Sequence, residues 1–185
     1  GLGCAVLEYL TAAGVGRLTI VDHDYVEESN LHRQPLYRMN DLGRPKAEAA
    51  RAALGALNPE VRIEARIERL NPANAPALVG AADVVVDAAD SFAVTYVLSD
   101  ACQRAAKPLV SASVLGLSGY VGAFCGGAPS YRAVAIVAVL AAVALTLTRP
   151  ASAIVVPDRV QDVIAARIDR LSEDQKRTVQ TASVI

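Results

Sequence analysis

The chain has 185 residues, 53% of them hydrophobic and 20% charged, with 12 glycines and 9 prolines. That is enough for one domain and an appendage, and too apolar for a disordered segment. A formal net charge of -1 without a basic stripe argues against a polyanion-binding surface, so nucleic acid is not an expected partner. Cys4, Cys102 and Cys125 show no paired metal spacing and leave an odd thiol after any disulfide, which suits a reducing cytoplasm.

The chain opens at Gly1-Leu2-Gly3-Cys4 with no secretory signal in view, and it closes on an apolar-periodic run with no helix stop. Both ends fall inside elements, so it reads as a fragment or a fusion. Leu2, Val6, Leu7 and Leu10 predict a helix that Gly14-Val15-Gly16 breaks, and Leu18–Val21 predicts a short buried strand. A loop follows from Asp22 to Arg44. Pro45 then takes the first position of an alanine-rich helix that stops at Asn58-Pro59. Val61–Ala65 alternates like a strand with one face in water, and a turn-rich patch leads to a short helix near Leu78. Asp83-Val84-Val85-Val86-Asp87 has the form of a central parallel strand ending in a loop that reaches Asp90. A helix from about Ala93 to Lys107 returns the chain to a strand at Leu109–Val114. Strand and helix alternate, so the class is α/β with a mostly parallel sheet.

Beyond Arg132 the character changes. Ala133–Leu145 is unbroken apolar but shorter than the roughly 18–20 residues of a bilayer crossing, which predicts a buried helix or strand and no membrane partner. After Pro150, Asp158 can cap one amphipathic helix, and Ser172 with Gln175 forms a capping box for another. The expected organisation is therefore 1–132, an apolar segment 133–150, and a helical appendage 151–185.

Gly1 and Gly3 at a helix start suit a phosphate turn, because glycine lets backbone approach an anion while the first helical amides point at it. Asp22 ends a strand where an open α/β sheet places an acid for ribose hydroxyls. Position 6 of the dinucleotide fingerprint, however, is Val6 where glycine is expected.

More specific is Asp22-His23-Asp24 followed by Ser29-Asn30-Leu31-His32-Arg33-Gln34 and Gly43-Arg44-Pro45-Lys46. This order resembles the ThiF/MoeB/HesA family of adenylating enzymes, related to the ubiquitin-activating enzymes. The resemblance continues through Leu57-Asn58-Pro59, Val84–Phe92, Ser99–Cys102, Pro108–Val110 and Gly119–Phe124, to about residue 131. It implies a Rossmann-like, mostly parallel sheet that here lacks its first strand, with a C-terminal helical appendage. It also implies an ATP site in which Gly1, Gly3, Asp22 and Asp24 meet the nucleotide, Asn30, Arg33 and Lys46 meet its phosphates, and Asp90 holds magnesium. Arg33, Lys46 and Asp90 are the expected catalytic set. Two cations and a metal carboxylate match the charge that develops when a carboxylate displaces pyrophosphate at the α-phosphorus.

The implied partner is a ubiquitin-like or sulfur-carrier protein with a Gly-Gly C-terminus, and the implied assembly is a homodimer. Ser130 and Ala133 stand where many bacterial members carry a Cys-x-x-Cys half-site, so zinc is not expected. The three cysteines are expected as packed small hydrophobes rather than thioester nucleophiles. Two other readings stand beside adenylation: a non-catalytic nucleotide-binding or dimerisation module of the same fold, and an NAD-dependent oxidoreductase resting on Gly1, Gly3 and Asp22. The segment from Val156 to Ile185 resembles the stretch after the ATPase core of bacterial regulator and cyclase-associated ATPases. No Walker A motif precedes it, so no ATPase activity is carried over.

Overall fold

A computed structural model describes residues 1–115, 118–125 and 128–135. They fall in two units, one of Gly1–Ala75 with Ala88–Asp90, the other of Pro76–Asp87 with the residues from Ser91 onward. The apolar segment and the helical appendage expected beyond residue 135 lie outside the described residues. No helix among the described residues is long and apolar enough to cross a membrane.

In the first unit, α1 (Leu2–Ala12) runs into β1 (Arg17–Val21) through a turn that Gly14 makes possible. Gly14 has φ +78, and the amides of Gly14 and Val15 return to the carbonyls of Thr11 and Leu10, the paired bonds of a Schellman stop. β1 pairs in parallel with β2 (Arg62–Arg66), with Ile20 opposite Ala65. Between them lies α2 (Lys46–Leu57), whose alanines favour the helix and whose buried Ala47, Ala50 and Leu54 face the sheet and α1. Cys4, Ile20, Val26, Leu36, Tyr37 and Leu54 share this core. The helix begins one residue after the expected position: Pro45 precedes it in an extended conformation, and its fixed φ sets the entry.

The segment expected as a loop is more ordered than that. It contains two short 3-10 turns, Glu28–Asn30 and Met39–Asp41, and Tyr25 forms an antiparallel bridge to Pro45. Gly43, at φ +77, allows the return to α2.

In the second unit, α3 (Ala75–Gly80) leads to β3 (Val85–Asp87), and α4 (Phe92–Arg104) returns the chain to β4 (Leu109–Leu115) and β5 (Ser118–Phe124). β3 and β4 are parallel, whereas β4 and β5 form an antiparallel pair. One side of this sheet carries Leu109, Ser111 and Asp87 in the interior. The register places Val86, Val110, Ala112, Val114, Val121 and Ala123 on the other side, where Val86, Val114 and Val121 are exposed. β3 is thus shorter and more open than the central strand expected, because Asp83 and Val84 make no ladder pair.

Cys125 departs from expectation. It follows β5 outside any regular element and is exposed, while Cys4 and Cys102 are buried; all three are free thiols.

Candidate functional site

Every site residue proposed from the sequence lies in the first unit. Gly1 is the N-cap of α1 and makes no side-chain cap hydrogen bond. A Cβ at Gly1 would meet nothing within 4 Å, and one at Gly3 would stand 3.9 Å from the Ala88 methyl. Packing within the chain therefore does not demand these glycines. They leave a bare cradle, which suits a phosphate group.

Three distant side chains act on this point. The charges of Arg33, Lys46 and Asp90 all bear on Gly1, as does Cys4. Arg33, Lys46 and Asp90 therefore share one electrostatic neighbourhood at the start of α1. Ala88 beside Gly3 puts the Ala88–Asp90 stretch next to the helix start.

Lys46 is held twice. Its backbone amide donates to the Asp24 carbonyl at 2.8 Å, and its Nζ lies 3.1 Å from Asp24 Oδ2. The Lys46 side chain is only 10% exposed and that of Asp24 54%, so the pair has one foot in water. Arg33 is exposed and donates from its guanidinium to the Ser29 carbonyl at 3.0 Å. Asn30 is held within its own turn. It is buried, and its amide donates to Ser29 Oγ at 3.0 Å and to Glu27. Its backbone carbonyl receives the amides of Arg33 and Gln34, so Asn30 shapes the turn that presents Arg33.

Asp22 accepts the Asp24 amide at 2.8 Å. Burial raises its carboxyl above the ordinary value, against the opposing pull of that hydrogen bond and of Lys46. A carboxyl raised in the folded state contributes most below its unfolded value of 3.8, and that contribution is lost as pH rises through the folded value. Asp22→Asn keeps the acceptor oxygen and removes the charge. It is expected to raise the unfolding temperature at pH 7 by a few degrees, with the gain disappearing in acid below the unfolded value. Thermal unfolding across pH checks this, and a lower midpoint at pH 7 would contradict it.

His23 was not singled out from the sequence. Among the described residues, Asp22, His23 and Asp24 form the one group of three whose possible ligand atoms all lie within 4.8 Å of one another. Alternation along an extended segment was the available signal, but two acids flanking a histidine are common in loops. Asp90 is not part of that group; it is exposed, and a single open carboxylate fits a divalent ion that is mostly held by a nucleotide's phosphates.

A model of the ThiF family matches residues 1–154. The chain is 49% identical over 124 residues to the sulfur carrier protein adenylyltransferase of Thermus thermophilus, covering 67% of this chain and 46% of that protein. It is 46% identical over 136 residues to the adenylyltransferase and sulfurtransferase MOCS3 of Drosophila virilis, covering 72% and 30%. With the SAMP-activating enzyme E1 of Haloferax volcanii it shares 42% over 132 residues, covering 71% and 49%. The chain thus spans half or less of these relatives. Among solved structures, E. coli MccB with MccA-N7isoASN matches at a TM-score of 0.65 and 26% identity, covering 70% of this chain and 39% of that one. PaaA matches at 0.65 and 23%, covering 99% and 61%, a likeness of fold.

Proposed function

The chain belongs to the ThiF family, and from that premise we propose that it uses ATP to adenylate the C-terminal carboxylate of a ubiquitin-like or sulfur-carrier protein. The observation that carries this reading is that Arg33, Lys46 and Asp90 all bear electrostatically on the start of α1 at Gly1. A carboxylate oxygen attacks the α-phosphorus, an acyl-phosphate bond forms, and the bond to pyrophosphate breaks. Negative charge builds on the phosphates, and fixed positive partners lower that barrier. Arg33 would supply a forked donor, and Lys46 a point charge positioned by Asp24. Asp90 would hold magnesium, which neutralises phosphate charge when bound.

The names of the relatives support the substrate class: an adenylyltransferase of a sulfur carrier and an activating enzyme. A Gly-Gly tail on the partner, a cytoplasmic setting and a homodimeric assembly go with the same reading. In the full chain, a Gly-Gly-tailed carrier is expected to stimulate exchange of radiolabelled pyrophosphate into ATP. Nucleotide binding without carrier-dependent exchange would favour the non-catalytic module instead, and no ATP binding by calorimetry would overturn both.

A further inference from the structure

In the second unit, α4 stops on an alanine in a conformation that usually calls for glycine. Ala106 has φ 52, and among the described residues no other non-glycine residue has a positive value. The amides of Ala106 and Lys107 return to the carbonyls of Gln103 and Cys102 at 3.3 and 2.9 Å, the paired bonds of a Schellman stop. Those carbonyls are thereby satisfied within the turn, and Lys107 is folded back against the last turn of the helix. There it lines a cavity of about 70 Å³ together with Ser99, Cys102, Gln103 and Ser130. That is room for about two waters, or for one tetrahedral oxyanion.

The polar part of this wall is built of donors. Among the described residues that line it none is acidic, and Lys107 enters no ion pair with a described residue. Ser130 Oγ accepts the Ala133 amide at 3.2 Å, which leaves the hydroxyl hydrogen free to donate. Burial, and after it the charge of Asp87, push the Cys102 thiol up to about 11, so it stays a neutral S–H and adds no negative charge to the wall. Ser99 is 2% exposed, and its Oγ has no hydrogen-bond partner among the described residues. A buried hydroxyl in that state is a net cost to the fold unless a group in the cavity takes its hydrogen. We propose that this cavity binds a small oxyanion of the size of phosphate or sulfate, held by the Lys107 ammonium and the Ser99 and Ser130 hydroxyls. The inference does not depend on the adenylation reading.

The test follows backbone amide shifts of the ¹⁵N-labelled full chain by NMR while inorganic phosphate, and separately sulfate, is titrated at fixed ionic strength. The amides of Ser99, Lys107 and Ser130 are expected to move along one saturating curve. Lys107→Gln and Ser99→Ala should each weaken the apparent affinity by about 10-fold, the usual worth of one hydrogen bond to a charged group. Arg33→Ala, a change in the other unit, should leave that curve where it is. The two cavity variants alter different segments, so the question stays answerable if one of them does not fold. In anion-free buffer Ser99→Ala should melt no lower than the wild type, because it deletes a hydroxyl without a partner; a clear drop would mean that the hydroxyl is already bonded inside the protein, and would overturn the proposal. Saturation by neither anion, wild-type affinity in either folded cavity variant, or shifts confined to the neighbourhood of Gly1 and lost in Arg33→Ala would overturn it as well.

Discussion

Arg33→Ala is expected to slow carrier-dependent ATP–pyrophosphate exchange by about 10²–10³-fold, the usual effect of deleting one preorganised donor to developing charge. The unfolding temperature should stay within a degree or two, because Arg33 is exposed and its guanidinium bonds the Ser29 carbonyl on the surface of a turn. The separation of the two readouts is the point: a large kinetic loss with intact stability marks a side chain that serves the ligand. Arg33→Lys should recover only part of the rate, since an ammonium restores the charge without the planar fork. Exchange at the wild-type rate in an active Arg33→Ala preparation would remove Arg33 from the site.

Lys46→Met should produce a loss of similar size for a different structural reason. Lys46 is the first residue of α2, and its stem is buried, so methionine fills nearly the same space while deleting the charge. Asp24 loses its partner but is half in water, and an ion pair of that exposure is worth about 0–1 kcal/mol. A variant that unfolds well below the wild type would show that Lys46 mainly serves packing. One that keeps its midpoint and loses exchange assigns the ammonium to the nucleotide, and titration of ATP by calorimetry would place the loss in binding or in turnover.

The sequence was most readable where local chemistry dictates structure. Gly14 needs its positive φ wherever a helix stops, and Pro45 fixes the entry to α2, so both ends were placed within a residue or two. β5 was different: Gly119–Phe124 stood out as a motif with no element attached, because a glycine-containing strand owes its existence to pairing with β4. The site was legible as a set of residue types in a given order. Which of them would meet depends on the path of the chain: the motif contains Asn30, and only the structure shows its amide bonded inside its own turn. The Ser111–Asp87 bond joins positions 24 apart through a strand register, which no periodicity reports. The oxidoreductase reading leaned on two glycines and one acid, and the relatives, named as adenylyltransferases and an activating enzyme, give it no support.

The exposed Val86, Val114 and Val121 on one side of β3, β4 and β5 bear on how the protein behaves in a tube. With a formal balance of -1 and an isoelectric point near 6.2, colliding molecules meet almost no mutual repulsion in mildly acidic solution. Sticky surface and weak repulsion together favour clumping. Alkaline buffers, in which anionic charge accumulates, are the conditions that keep the particles apart.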